Sequence, residues 1–389
     1  MIRLPEYFVD LHIHIGRTKS GKPVKITASK SLTLTNIVDY SDRVKGLDMI
    51  GIIDSHSPEV IEELRGYILK GEANELTGGG IQFSNGIVLI LGSELEIYHE
   101  SCNGPFHVLT YFPTIEAMTA FSDWLSKRVT NITLSTQRVY EKSNIIQQKV
   151  KDLHGIFIPA HAFTPHKGIY GKGVHKSITE VFQLTDIDAI ELGLSSDTNL
   201  VNGIAELTNI SFISNSDAHS LEKIGREYQL IQMEEPSFNE LVLALHQENG
   251  RMIVKNFGLH PRLGKYFHTS CEQCYTHVGD QTVCPNCSSS KITKGVFERL
   301  QELSDPNYKK VNRPPYVHQV PLEFIPKLGP KTLTKLRDHF GNEMNIIHQT
   351  SLSQLKEVVT EPIAKAIVLS RTGELSISAG GAGKYGKVE

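Results

Sequence analysis

Between residues 7 and 219 the chain runs seven times into a short apolar stretch flanked by imidazole or carboxylate side chains. Tyr7–Val9 leads into Asp10, His12 and His14, Met49–Ile53 into Asp54-Ser-His56, and Ile87–Leu91 into Gly-Ser-Glu94-Leu-Glu96. Phe106–Phe112 carries His107 at its start. Gly155–Pro159 ends in Ala-His161, Ala189–Leu192 in Gly-Leu-Ser195-Ser-Asp197, and Ile210–Ile213 in Ser-Asn215-Ser-Asp217-Ala-His219. Such runs are the pattern of strands buried on both faces. Helix-like stretches lie between many of them, at 33–45, 59–69, 115–128 and 137–153. Strands alternating with helices over about 255 residues predict an α/β barrel, in which chemistry gathers at the strand ends. A ring of His, Asp and Glu at those ends predicts a multinuclear metal site. Within the first run, side-chain alternation places Asp10, His12 and His14 on one face.

Composition narrows the partners. The formal net charge is −3, which argues against a uniformly basic nucleic-acid binder. Residues 251–340 nevertheless carry 14 Lys and Arg against 7 Asp and Glu, so a basic segment follows an acidic one. That asymmetry suits a metal-rich catalytic domain joined to a module that meets phosphates. No apolar run approaches the roughly 20 residues that span a bilayer, and the first residues lack the order of a signal peptide. The expectation is a cytoplasmic, nucleoid-associated protein without a membrane partner. Of the five cysteines, Cys102 stands alone, whereas Cys271-x-x-Cys274 and Cys284-x-x-Cys287 are paired knuckles. Two such pairs so close together predict a structural zinc ribbon, whose metal supplies stability that its few apolar residues cannot.

Farther on, Ile325–Gly341 (IPKLGPKTLTKLRDHFG) has the form of a helix-hairpin-helix. Its turn, Leu328-Gly329-Pro330, offers backbone N–H groups at a helix N-terminus, and Lys327, Lys331 and Lys335 add charge indifferent to base sequence. Val358–Ala366 resembles a weaker second hairpin. The tail, 376–389, is rich in Gly and Ser and is expected to be flexible. The expected division is therefore a barrel at 1–258, a zinc ribbon at 259–300, a helical DNA-binding domain at 301–375, and the tail.

The set HxH, Asp-x-His, GxE, a His on the fourth strand, AH and DxH resembles the polymerase and histidinol phosphatase (PHP) family. That resemblance implies a distorted (β/α)7 barrel holding two or three metals and hydrolysing phosphate esters. By position it makes His12, His14, Glu94 and Asp217 ligands of a first metal, and Glu94, His107 and His161 ligands of a second. His56 and His219, with Asp54 nearby, would serve a third. The chain departs from the family pattern at Ser20, where many members have a further His, and at the extra Ser55. With the ribbon and the hairpin the whole chain resembles the endonuclease Q family. This implies a metal-dependent endonuclease that cuts damaged DNA, single- or double-stranded, 5′ to a deaminated base (uracil, hypoxanthine, xanthine) or an abasic site. Glu94, His161 and Asp217 are its expected catalytic residues, with zinc, manganese or magnesium in the barrel. Two metals activate a shared water and clamp the phosphate, and the lesion base leaves the stack. Ser195 and Asn215 are expected to read the base edge, and Lys167, Tyr170 and Lys172 to follow the backbone. A small-molecule phosphatase and a metal-free DNA scaffold are the alternatives from other classes.

Overall fold

The structure is a computed structural model that describes residues 3–264 and 266–375. Beyond them it gives the backbone of Ile377–Ser378 and Lys387–Val388, which pair antiparallel; the rest of the tail lies outside the described residues. Strands β1 (Glu6–Ile13), β2 (Met49–Ile52) and β3 (Val88–Ile97) lie parallel in that order. β4 (Phe106–Phe112) returns antiparallel to β3, and β5 (Ile156–Pro159) antiparallel to β4. β6 (Ala189–Glu191) and β7 (Ser211–Ile213) form a parallel pair. Backbone bonds from Asp188 to Phe157 (3.1 Å) and from Ala162 to Glu191 (2.8 Å) join β5 to β6. Bonds from His14 to Ala218 (3.2 Å) and from Ala218 to His12 (3.1 Å) join the end of β7 back to β1. The seven strands thus close a distorted barrel, as expected.

Apolar residues from these strands divide into two layers. Val9, Leu11, Ile90, Leu109, Ile158 and Ile213 fill the inside, together with Leu241 and Leu245 of the helix Phe238–His246. Ile50, Leu89, Val108 and Phe157 face outward, against α1 (Leu34–Tyr40), α2 (Pro58–Leu69), α3 (Ile115–Ser126) and α4 (Ser143–Asp152). β1 does not keep one alternation. Val9 and Leu11 face the inner layer, but Ile13 faces the outer one. The register against β2 slips by one residue between Asp10 and Ile13, which is a bulge. Asp10 is therefore out of phase with His12 and His14, contrary to the simple strand reading. The bulge aims both imidazoles into the barrel mouth.

The helix expected over 137–153 begins only at Ser143, because Arg138–Val139 instead extends the sheet beside β3, burying Val139. β8 (Tyr228–Gln232) pairs with the other edge of β1, and β9 (Met252–Gly258) pairs with β8. β10 (Tyr316–His318) then runs parallel to β9, so the first part of segment 301–375 belongs to the barrel sheet. Between β9 and β10 lie the ribbon and α5 (Val296–Leu303). Only Cys271, Val278 and Cys284 are buried in the ribbon's own small cluster.

The helical part packs its own core from Leu322, Leu336, Ile346, Leu355, Ile363 and Ile367. The arm before the expected hairpin turn is a single 3₁₀ turn, Leu322–Phe324, because Pro321 and Pro326 confine it. It leads into α6 (Pro330–Phe340). Two helices joined by a two-residue turn occur instead at α7 (Leu352–Val358) and α8 (Glu361–Thr372). No helix among the described residues is long and apolar enough to cross a membrane.

Candidate metal centre

Five of the seven strands bring two groups of ligating atoms together in the barrel mouth. His12, His14 and Asp217 form one group and Glu94, His107 and His161 the other. Asp217 Oδ1 lies 3.4 Å from His12 Nε2 and 3.5 Å from His14 Nε2. Glu94 stands between the groups. Its Oε1 is 3.0 Å from His107 Nδ1 and 3.4 Å from His161 Nε2, and its Oε2 is 3.5 Å from His14 Nε2. His107 opens its strand, yet it reaches the end of β3 because β4 is antiparallel and pairs His107 with Glu96.

The donor set fits divalent cations. His12 Nε2, His14 Nε2 and both nitrogens of His107 are buried without a hydrogen-bond partner among the described residues. Orphaned buried nitrogens are costly unless something takes their lone pairs. Burial lowers the His12 pKa, but the Glu191, Asp217 and Glu94 carboxylates outweigh it and push it up to about 10. Burial raises Asp217 and Glu94, and the surrounding imidazoles, with Lys25 at Glu94, more than reverse this; both stay ionised. Two candidate ligands also sit on strained backbone, His161 at φ +29° and Asp217 at φ +47°. Such strain persists where neighbours over-determine it. The His161 amide donates to Glu191 Oε2 (2.7 Å), and Gly193, itself at φ +77°, lies so close to His161 that a Cβ there would stand 2.9 Å from the histidine's.

An outer layer of carboxylates aims the inner one. Glu191 Oε1 takes the His12 Nδ1 side at 2.9 Å, and Asp54 Oδ2 the His14 Nδ1 side at 3.1 Å, so each histidine presents Nε2 to the mouth. Asp54 also accepts from the Ile15 amide (2.7 Å) and so stands behind His14, away from the ligand groups. Asp10 accepts from Ser216 (3.1 Å) and Gly225 (2.9 Å), anchoring the loop that carries Asp217. Glu191 was missed from sequence; its only signal was an acid at the end of the sixth apolar run.

Several expected residues sit elsewhere. His56 turns away from both groups: Ser93 Oγ lies 2.8 Å from its Nδ1, and Nε2 faces the Leu134 carbonyl. His219 does border the mouth, its ring 4.5 Å from that of His14, but its Nδ1 points back at the Asp217 carbonyl (3.0 Å). Asp54, His56 and His219 therefore do not form a third converging group of ligating atoms among the described residues. Near Glu94 the structure places Lys25 instead, with Nζ 3.2 Å from Oε2 and Thr136 Oγ1 bound to the same oxygen at 2.5 Å. Lys25 lies in a polar loop without a motif and was not foreseen.

Asn215 is spent inside the fold. Its Oδ1 accepts from Leu11 N (2.8 Å) and Gln229 Nε2 (3.1 Å), and its Nδ2 donates to Glu191 Oε1 (2.8 Å). Its Oδ1 is fully engaged inside the fold and its Nδ2 holds Glu191, so its first task is to position that carboxylate. Tyr170 is fully buried, stacked on Phe163 and donating to Glu206 (2.7 Å), and cannot follow a DNA backbone. Lys167 pairs with Glu96 and borders the mouth, while Lys172 is exposed. Lys327, Gly329 and Lys331 are exposed around the α6 N-terminus; Lys335 donates to the Val358 carbonyl (3.0 Å). Above the metal groups opens a cavity of about 300 Å³ whose wall includes Leu194, Ser195, His166 and Tyr266.

The four cysteine sulfurs converge as well. All lie within 4.8 Å of one another, with Cys271 to Cys287 at 3.5 Å and Cys274 to Cys284 at 3.4 Å. A tetrahedron with metal–sulfur bonds of about 2.3 Å has edges of about 3.8 Å, so the pairs are near ligating distance.

Barrel and mouth together are those of a PHP-type, metal-dependent enzyme. A family model described as PHP-associated matches residues 198–249. The chain is 51% identical over 387 residues to the uncharacterized protein YqxK of Bacillus subtilis, covering 99% of this chain and 100% of that one. It superposes on the lesion-specific endonuclease PfuEndoQ of Pyrococcus furiosus with a TM-score of 0.85 and 32% identity, covering 99% and 95% of the two chains. A second similar structure is endonuclease Q in complex with a 27-mer duplex bearing an abasic lesion at the active site, at a TM-score of 0.84 and 30% identity over 99% and 96%. The chain belongs to the endonuclease Q family, and with its candidate ligand groups it is a metal-dependent endonuclease.

Proposed function

We propose that this chain is a DNA-repair endonuclease cutting the phosphodiester on the 5′ side of a deaminated base (uracil, hypoxanthine or xanthine) or an abasic site. The observation that carries the reading is the union of two features in one mouth. Orphaned imidazole nitrogens and ionised carboxylates form its floor, and a largely apolar wall that includes Leu194, His166 and Tyr266 borders them. His166 and Tyr266 meet edge-on with centroids 5.0 Å apart. A phosphate beside an unstacked nucleotide unit needs that combination, and unstacking costs least at a lesion whose pairing is already weak. The similar structures, a lesion-specific endonuclease and a complex with an abasic duplex, support the same reading.

Bound in the mouth, two divalent ions (zinc, manganese or magnesium) supply the charge that activates water and offsets charge developing on the phosphate. His12, His14 and Asp217 would hold one, and His107 and His161 the other, with Glu94 between them. Glu191 and Asp54 orient the first pair of imidazoles. Lys25, 3.2 Å from Glu94 Oε2, would add a positive charge on the phosphate's side of the mouth. Zinc on the four cysteines keeps the ribbon folded. Ser195, on the cavity wall against Gly264, is the remaining base-edge reader, and Asn215 positions Glu191. Lys172, Lys327, Lys331 and the Gly329 turn would meet backbone phosphates.

The test is nicking of end-labelled duplexes carrying one uracil, hypoxanthine, xanthine or abasic site, with and without chelator, and with Asp217→Asn as control. Cutting 5′ to each lesion that chelator and Asp217→Asn abolish is expected. Equal cutting of undamaged duplex would refute lesion specificity.

A further inference from the structure

A further convergence of ligating side chains, apart from the barrel groups and the four cysteines, lies where the ribbon meets α5. His268 precedes the short strand Ser270–Cys271, His277 stands between the two cysteine pairs opposite Ser270, and Glu298 is in the first turn of α5. One ligating atom of each lies within 4.8 Å of the other two. His268 Nδ1 is 2.8 Å from Glu298 Oε1, and the two imidazole rings are 4.9 Å apart at 61°. A separation near 3 Å between a ring nitrogen and a carboxylate oxygen is also that of adjacent ligands on one ion with bonds of about 2.1 Å. The barrel shows the same spacing between His107 and Glu94.

An ordinary hydrogen bond accounts for His268 and Glu298 alone. It does not account for His277, an exposed side chain drawn into the same small sphere. Glu298 is also held ready, since its Oε2 accepts from the Thr269 amide (3.0 Å) and hydroxyl (3.1 Å). Among the described residues, no lysine or arginine pairs with it; its one ion-pair partner is His268.

We infer that His268, His277 and Glu298 form an additional site for a divalent transition-metal ion of the zinc class, distinct from the cysteine site and the barrel. Two imidazoles and one carboxylate, half exposed, leave a coordination position to solvent and bind less tightly than four thiolates. Occupancy would thus follow the free metal concentration. The ion would fasten the ribbon's middle loop to α5, whose Arg299 donates to the Tyr170 (2.8 Å) and His175 (2.7 Å) carbonyls of the barrel. Filling the site ties the ribbon to the catalytic domain. The inference does not depend on which DNA lesion the enzyme cuts.

The experiment uses the full chain equilibrated with Zn²⁺, with zinc per chain measured by mass spectrometry and by titration calorimetry. A thiol-reactive mercurial releases and counts the cysteine-bound zinc separately. His277→Ala alters an exposed side chain, and Glu298→Gln is the second variant. The expected result is one fewer zinc in both, with mercurial-released zinc unchanged. Parental stoichiometry in both variants would overturn the site. Loss of the mercurial-released zinc in His277→Ala would overturn it too, by assigning His277 to the cysteine site.

Discussion

Lys25 brings a cation to Glu94 that no ion has to supply. Removing it tests whether that charge serves the reaction or only the carboxylate. With Lys25→Met, nicking is expected to fall about 10²-fold in single-turnover assays, the usual cost of one preorganised electrostatic contact. Barrel metal content, read by mass spectrometry, should stay at the parental value. Loss of metal instead would make Lys25 a structural partner of Glu94. Asp54→Asn should do the reverse and weaken metal affinity on the order of 10- to 100-fold, because it loosens the His14 ring. Proton linkage is a further check at this scale. In the metal-free enzyme His12 is pushed up to about 10, and His14 and His107 are also raised by their carboxylate neighbours. Below those pKa values each imidazole holds a proton that an incoming ion must displace. Metal loading near neutral pH should therefore release protons, and apparent affinity should rise with pH up to tenfold per unit for each proton displaced. Calorimetry in buffers of different ionisation enthalpy measures the number.

At the level of elements, the strand pattern in the sequence points to the candidate ligands that the fold brings together, but not to their geometry. His12, His14, Glu94, His107, His161 and Asp217 are legible because apolar runs of strand length point at them. The bulge in β1 is not, since it arises from pairing with β2 and leaves no mark in the local alternation. The antiparallel course of β4 is equally silent, although it decides that His107 faces Glu94. Glu191, Asp54 and Asn215 take their roles from neighbours across the barrel, at sequence separations that spacing rules do not reach. Prolines at 321 and 326 could have warned that the first arm of the hairpin was too confined for a helix. The ribbon is a sharper case, because paired CxxC spacing is legible in the sequence and the structure brings the four sulfurs together. With only Cys271, Val278 and Cys284 buried in its own apolar cluster, it is expected to depend on a metal at the four cysteines. Cys284→Ser should lose one zinc and make the ribbon's amides exchange rapidly, while barrel amides remain protected; hydrogen exchange reads both.

In the whole molecule, the barrel and the helical part are joined by more than the chain. Lys45, at the end of the first helical stretch, donates to Glu343 Oε2 at 2.9 Å, and both are buried. Breaking a buried pair from one side costs up to about 3 kcal/mol, and less here because Arg337 Nη1 also reaches Glu343 Oε1, at 3.5 Å. Lys45→Met should lower the thermal midpoint, whereas Lys45→Met with Glu343→Leu should recover most of the loss. Calorimetry of the two variants separates an ion pair that holds the parts together from one that is merely tolerated.

Because β10 lies parallel to β9, with Asn256 opposite Tyr316, the ribbon and α5 form an excursion that departs from and returns to one sheet edge. Both ends of that excursion are moored a strand's width apart. A single protease cut within 266–310 would leave the helical part latched to the barrel by strand pairing, by the Lys45–Glu343 contact and by Arg313, which donates to the Ile210 carbonyl at 2.7 Å. The nicked protein should migrate as two pieces under denaturing conditions and as one body otherwise. The ribbon is thus a handle fixed at both ends, and opening it does not release the helical part.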